Sequence, residues 1–169
     1  MKVPVVSVVA KSGTGKTTLL EKLIRDLTER GYRVGALKHD AHRFEMDHEG
    51  KDSWRLTHAG AATTVITSPE KIAMIRMNRD RQEPPLEETI QALFTDMDIV
   101  LTEGFKKSGM PKIEVNRSAR SDKLLCRGEE HDPTLIAVAS DAPLELDVPV
   151  FDLNDASGIC DFIEARFLR

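Results

Sequence analysis

Residues 10–18 read AKSGTGKTT, two glycines followed at once by a lysine and two hydroxyl side chains. That set of residue types suits the binding of a triphosphate. Backbone amides approach phosphate oxygens only where side chains leave room, and Gly13 and Gly15 leave it. Lys16 is expected to reach the β and γ phosphates and to support chemistry there, while the Thr17 hydroxyl is expected to ligate Mg²⁺ and Thr18 to touch the α phosphate. Ser12, Gly13, Thr14 and Gly15 complete the expected nucleotide-binding set. The usual pattern is GxxxxGK[ST], and Ala10 stands where its first glycine would be. Alanine is small enough to leave the loop intact.

Such a loop works only between a buried strand and a helix, because the helix start contributes free amides and the positive end of the helix dipole. The flanks meet that demand. Residues 3–10 (VPVVSVVA) form an apolar, valine-rich run suited to a strand buried on both faces. Residues 16–30 carry Leu19, Leu20, Leu23, Ile24 and Leu27 at helical spacing, and Gly31 ends the segment. Further strands are expected at 32–37, 98–102, 112–117, 135–140 and 148–153. Residues 61–67 and 72–77 alternate about a short turn and predict a hairpin. Helices are expected at 52–60, from Pro84 or Pro85 through Phe94, and at 156–168. Residues 118–133 show no readable pattern. Strands alternating with helices predict an α/β chain, a three-layer phosphate-loop NTPase fold with a mainly parallel sheet and a β-hairpin extension, in a single domain of residues 1–169.

A second set of residues belongs beside the loop. Residues 99–103 (IVLTE) put Glu103 at the carboxyl end of a core strand, where an acidic side chain holds the Mg²⁺ shell directly or through water. Gly104 follows and is expected to offer its amide to the γ phosphate, whereas Asp98 sits at the wrong end of that strand. After the second strand come His39, Asp40, His42, Asp47, His48 and the run GKDS at 50–53, a polar loop expected to switch with the γ phosphate. Asp40 or Asp47 would orient water or bind Mg²⁺ there. The histidines fit no tight metal spacing and no cysteine joins them.

Composition bounds the function. A net charge of −4 and 5% aromatic residues argue against a nucleic-acid binder, which needs a basic face and stacking rings. Cys126 and Cys160 are widely spaced and predict free thiols in a reducing compartment. No export signal or membrane-length apolar run is read, so the expected location is cytoplasmic.

Taken together, SGTGKTTLL (12–20), GALKHDAH (35–42), GKDSWRL (50–56), AGA (59–61), IVLTEGFK (99–106), LIAVASDAPL (135–144) and VPVFDLND (148–155) resemble the molybdopterin-guanine dinucleotide biosynthesis protein B (MobB) family over nearly the whole chain. The combination of KH, GKDS, AGA and EGFK in this order is far more specific than the phosphate loop. The resemblance implies a GTP-binding, homodimeric adapter with weak intrinsic GTPase activity, requiring GTP and Mg²⁺. It implies a role in making the guanine dinucleotide form of molybdenum cofactor. The molybdenum cofactor guanylyltransferase and the molybdenum-insertion protein are its implied partners, with molybdopterin itself a further ligand to consider. Carried onto this chain, the phosphate loop is residues 12–18, the Mg²⁺ residues are Thr17 and Glu103, and the switch is residues 39–53. Lys11 stands where MinD-like proteins carry a lysine that crosses a dimer, but a lone charged residue is usually solvated, and a solvated lysine is the reading favoured here.

Base choice rests mainly on the resemblance. No NKxD motif is present. Asp141, after the fifth core strand, is the best substitute for its aspartate, with Asp152 and Asn154 next. A carboxylate accepts both the N1 and N2 hydrogens of guanine, whereas adenine offers one donor beside an acceptor. Two other readings share the loop. A small-metabolite kinase would use Arg76, Arg79 and Arg81 as a lid, and a metal-delivery GTPase would use the scattered histidines. Phosphate-loop proteins without an inserted arginine hydrolyse slowly, on the order of 10⁻³ per second. Arg43 and Arg55 are the arginines considered for that role.

Overall fold

The computed structural model describes residues 3–40, 44–121, 123–128 and 131–169, with Arg81 described by its backbone alone. The chain divides into two compact units, one built from residues 1–39 and 86–169 and a smaller one from residues 40–85.

The larger unit is a six-stranded sheet, all of whose neighbours run parallel. Its strands are β1 (Val5–Val9), β2 (Val34–Lys38), β5 (Ile99–Glu103), β6 (Lys112–Asn116), β7 (Leu135–Ser140) and β8 (Val150–Asp152), in the spatial order β2-β5-β1-β6-β7-β8. The chain therefore passes to one side of β1 for β2 and β5 and to the other for β6, β7 and β8. A parallel sheet opens a crevice at the carboxyl ends of its strands where the order reverses, and β1 lies at that point.

Period-two alternation in β1 explains the layers. Val6 and Val8 face α1 (Lys16–Glu29) and α4 (Ala156–Phe167), packing with Leu19, Leu23, Leu27, Ile159 and Ile163. Val5 and Val9 face the other way. Val5 packs with Leu86 and Ile90 of α3 (Leu86–Leu93), and Val9 packs with Leu124, Cys126 and Val138. The sheet is thus covered on both faces, as its valine-rich strands require. The expected α/β architecture with a mainly parallel sheet and a hairpin is the one observed.

Strand boundaries differ from the sequence expectation at β2, which begins at Val34, two residues late. Tyr32 instead donates its amide to Leu27 and closes the turn that Gly31 opens at φ +95°. The larger surprise is β6. Its sequence KIEVN alternates polar and apolar residues, two of them charged, yet all five are buried. Lys112 donates its ammonium to the Ser108 carbonyl (2.6 Å) and the Thr134 hydroxyl (2.5 Å) and pairs with Asp132 (3.0 Å). Glu114 accepts the amides of Leu125 (2.6 Å) and Cys126 (2.9 Å). Buried charge is tolerated here because each group has its hydrogen bonds. Glu114 in turn anchors the segment after β6 that showed no pattern in sequence.

The smaller unit holds α2 (Asp52–His58) and the antiparallel hairpin of β3 (Thr63–Thr67) and β4 (Ile72–Arg76), in which Val65 opposes Met74. Its apolar side chains are largely exposed, among them Val65, Ile66, Ile72 and Leu56. No helix among the described residues is long and apolar enough to cross a membrane.

Candidate functional site

The phosphate loop leaves β1 and enters α1 with two left-handed glycines, Gly13 at φ +72° and Gly15 at φ +104°. A side chain at either position would be strained, so the loop needs glycine there. Thr14 between them is buried, and its hydroxyl donates to the Lys11 carbonyl at 2.8 Å, closing the loop on itself. Gly15 caps α1, so no side chain blocks the first-turn amides, and that turn carries no acidic residue. The helix start is thereby left open for an anion. Lys16 directs its ammonium back over the loop, 3.5 Å from the Lys11 carbonyl.

β5 lies beside β1 with Glu103 opposite Val8, which brings the carboxylate to the loop. Thr17 donates its hydroxyl to Glu103 Oε2 at 2.7 Å. One hydroxyl and one carboxylate, both hard oxygen donors, are the protein ligands that Mg²⁺ takes beside phosphate and water. Asp98, at the other end of β5, accepts the Arg33 amide at 2.7 Å and serves the sheet rather than the site.

Gly104 corrects one expectation. Its amide donates to the Val8 carbonyl at 3.1 Å, as a continuation of the sheet ladder. A contact from that amide to a phosphate would require this bond to open. Gly104 and Phe105 both adopt left-handed backbone, at φ +95° and +54°. Beside them, His39 donates its amide to the Glu103 carbonyl at 3.0 Å and sets its ring against Phe105, with centroids 5.1 Å apart. A Cβ on Gly104 would come within 3.3 Å of His39 Cβ, so the turn is also tightly packed.

Sequence reasoning missed the third wall of the crevice. Residues 117–121 follow β6 as a turn in which the amides of Arg120 and Ser121 both donate to the Arg117 carbonyl. Arg117 Nε donates to the Thr14 carbonyl at 2.9 Å. The Arg120 guanidinium carbon lies 3.8 Å from where a Cβ on Gly13 would stand. Lys11, expected to be solvated or to cross a dimer, donates to the Ser121 hydroxyl within the same chain. The signal was present in the run RSAR directly after β6, but Arg117 is expected to end the strand and residues 118–133 show no pattern.

The candidate base-selecting residues lie at the ends of the next two strands. Asp141 follows β7 and accepts the Ser118 amide at 2.8 Å. That hydrogen bond, with the nearby Arg117 charge, holds its carboxyl below the usual aspartate range. Asn154, after β8, accepts from the Lys22 ammonium at 3.3 Å, and its amide is bound by Asp152 at 2.8 Å. Ser12 and Thr18 are exposed on the loop and on the first turn of α1.

The model for the family described as molybdopterin guanine dinucleotide synthesis protein B matches residues 5–141. The chain belongs to that family. It is 41% identical over 165 residues to the molybdopterin-guanine dinucleotide biosynthesis adapter protein of Escherichia coli (strain K12), spanning 95% of this chain and 91% of that protein. It is 38% identical to the protein of the same name from Haemophilus influenzae (strain ATCC 51907 / DSM 11121 / KW20 / Rd), across 96% and 89% of the two chains. Among solved structures, a crystal structure of molybdopterin-guanine biosynthesis protein B superposes with a TM-score of 0.76 at 30% identity, covering 95% of this chain and 98% of the other. The crystal structure of Bacillus subtilis MobB gives a TM-score of 0.74 at 26% identity, over 97% and 98%.

The family match takes in all of the crevice described above except Asn154, including the Arg117 turn. Asp40 and Asp47 belong to the smaller unit. There Asp47 accepts the His48 amide at 2.8 Å, and the neighbouring Ser53 and that amide hold its carboxyl below the ordinary value. Trp54 stacks on His58 across one turn of α2, with centroids 3.8 Å apart. Arg55 pairs loosely with Asp52 at 3.6 Å. Arg76 ends β4, and Arg79–Arg81 form a single 3-10 turn. His42 and Arg43 lie outside the described residues. Among those described, no group of three or more His, Cys, Asp or Glu side chains is placed to hold a metal ion.

Proposed function

We propose that this protein is a GTP-binding adapter in the biosynthesis of molybdopterin guanine dinucleotide, with slow intrinsic GTP hydrolysis. The adapter part draws on the family and on relatives that bear that name. The observation that carries the nucleotide part is the Thr17–Glu103 hydrogen bond at the mouth of a two-glycine loop. That pair brings a metal-ligating hydroxyl and carboxylate to an open helix start.

Thr17 and Glu103 would hold Mg²⁺, which neutralises the charge on the β and γ phosphates when bound. The chain's own part is positional. The first-turn amides of α1 and the Lys16 ammonium bind phosphate oxygens, while Gly13 and Gly15 keep the backbone close enough to do so. Asp141 is proposed to read guanine through its carboxylate, with Asn154 at the neighbouring strand end. The hydrolytic roles of Asp40 and Asp47 rest on the place of their loop in the sequence, directly after the second strand.

A homodimer acting in the cytoplasm, with the guanylyltransferase and the molybdenum-insertion protein as partners, completes the reading. The exposed apolar residues of the hairpin are compatible with such association. The test is a pull-down of purified guanylyltransferase with this protein in GTP, GDP or no nucleotide. Capture that depends on GTP is expected. Absence of a complex in all three states contradicts the adapter role, and equal capture in all three contradicts a nucleotide switch. Labelled GTP incubated with a metabolite mixture separates off the kinase reading: only inorganic phosphate is expected to carry the label.

A further inference from the structure

Arg117 holds the phosphate loop by its backbone rather than by a side chain. Its Nε donates to the Thr14 carbonyl at 2.9 Å. The peptide unit joining Thr14 to Gly15 is planar and trans, so the carbonyl and the Gly15 amide point in opposite directions. Whatever fixes that carbonyl also fixes the direction of the amide. The constraint matters because Gly15, at φ +104° and without a Cβ, has little intrinsic preference to hold the peptide in one orientation. Thr14 itself is pinned a second time, through its hydroxyl on Lys11. The guanidinium continues past the bond, with Nη2 3.6 Å from where a Gly15 Cβ would stand.

The base from which Arg117 reaches is rigid. It follows β6, whose five residues are buried and which pairs with β1 on one side and β7 on the other. The next residue, Ser118, donates its amide to Asp141. Two consecutive residues thus address the phosphate loop and the candidate base-reading carboxylate.

We propose that Arg117 is a positioning residue for phosphate binding, aligning the Gly15 amide of the loop through the Thr14 carbonyl. The proposal rests on the nucleotide reading above. It assigns Arg117 no contact with a transferring phosphate, so it is compatible with slow hydrolysis. A hydrogen bond from a charged donor is among the stronger kinds, and its loss is expected to cost about tenfold in affinity.

The experiment compares the full chain with Arg117→Ala, Arg117→Lys and Arg117→Gln by calorimetric titration with GTP, GDP and tripolyphosphate, alongside unfolding midpoints without ligand. The expected result is that Arg117→Ala weakens all three ligands by the same factor of about ten, and that Arg117→Lys, which keeps a charged donor, recovers most of it. A factor common to tripolyphosphate places the effect at the phosphates. Unchanged affinities in Arg117→Ala overturn the proposal, even if the unfolding midpoint falls. So does a loss for GTP that tripolyphosphate does not share, which would place the effect at Asp141. Should Arg117→Ala fail to fold, Arg117→Gln, which keeps a neutral donor, is expected to lie between Arg117→Lys and a tenfold loss, and wild-type affinity in it overturns the proposal. Wild-type protein that binds none of the ligands removes the nucleotide reading and this proposal together. Wild-type binding with an indifferent Arg117 removes only the proposal.

Discussion

Thr17 and Glu103 stand 86 residues apart in the chain and share a hydrogen bond of 2.7 Å. The parallel pairing of β1 with β5 prepares that meeting, because Val8 and Glu103 are in register at the carboxyl end of both strands, next to the loop that leads into α1. A hydroxyl that donates to a carboxylate in this way turns its own lone pairs outward, where a cation would lie.

Removing either partner should therefore weaken Mg²⁺-dependent nucleotide binding without unfolding the chain. Thr17→Ala and Glu103→Gln are each expected to lower GTP affinity about tenfold or more in Mg²⁺, and to change it little in EDTA. Fluorescence titration in the two buffers checks this. An equal loss in both would mean that the pair supports the loop rather than a metal.

Gly35 is the tightest glycine of the sheet for a plain steric reason. A Cβ there would stand 2.5 Å from the Phe94 ring carbon Cδ1 and 3.1 Å from Val100 Cγ2. Gly35→Ala should destabilise the protein by about 1–3 kcal/mol in denaturant unfolding, as overpacking does. Combining it with Phe94→Leu should cost less than the sum of the two single changes, because both act on one contact.

Arg30 ties the end of α1 to α4 through Asp161 (2.5 Å), Glu164 (2.9 Å) and Asp26 on its own helix (2.5 Å). The guanidinium holds the Glu164 carboxyl below its ordinary value of 4.5. A carboxyl depressed in the folded state contributes stability above its unfolded value and loses it as pH falls through the folded one. The unfolding midpoint should thus fall as pH drops below about 4.5, and Arg30→Met should be less stable at pH 7 and show a shallower acid limb. A midpoint series from pH 7 to pH 3 measures both; parallel curves for the two proteins would remove Arg30 as the cause.

Cys126 and Cys160 are buried, and burial pushes both thiols up to about 12. Only thiolate reacts at a useful rate. Neither cysteine is expected to react with a thiol reagent at pH 8 in the folded protein, and both should react promptly in denaturant. A rapid native burst of one equivalent would contradict the packing around that residue.

Local signals were enough for the loop and its immediate frame. Gly13, Gly15 and Lys16 are contiguous, and the apolar run of β1 and the spacing of Leu19, Leu20, Leu23 and Leu27 can be read within one window of sequence. The strand at 112–116 could be read locally but its burial could not, and the turn at 117–121 showed no pattern. In β6 the charges of Lys112 and Glu114 suggest an exposed face, and only their distant partners, Asp132 and the amides of Leu125 and Cys126, make burial possible. In the turn after it, Arg117 and Arg120 look like surface charge, since nothing local marks the carbonyl or the glycine that they approach.

The sequence by itself determined that this chain is α/β, where its phosphate loop lies and which family it resembles, because those properties depend on residue type, short-range spacing and motif order. The tertiary structure decided which residues wall the loop. Parallel pairing across β5, β1, β6 and β7 carries Glu103, Arg117 and Asp141 to one edge of the sheet. It also turns the Gly104 amide into the sheet, toward Val8, because a backbone donor at the end of a strand takes the nearest carbonyl that the ladder presents. No linear spacing encodes either outcome, since both depend on the register of strands that are far apart in the chain.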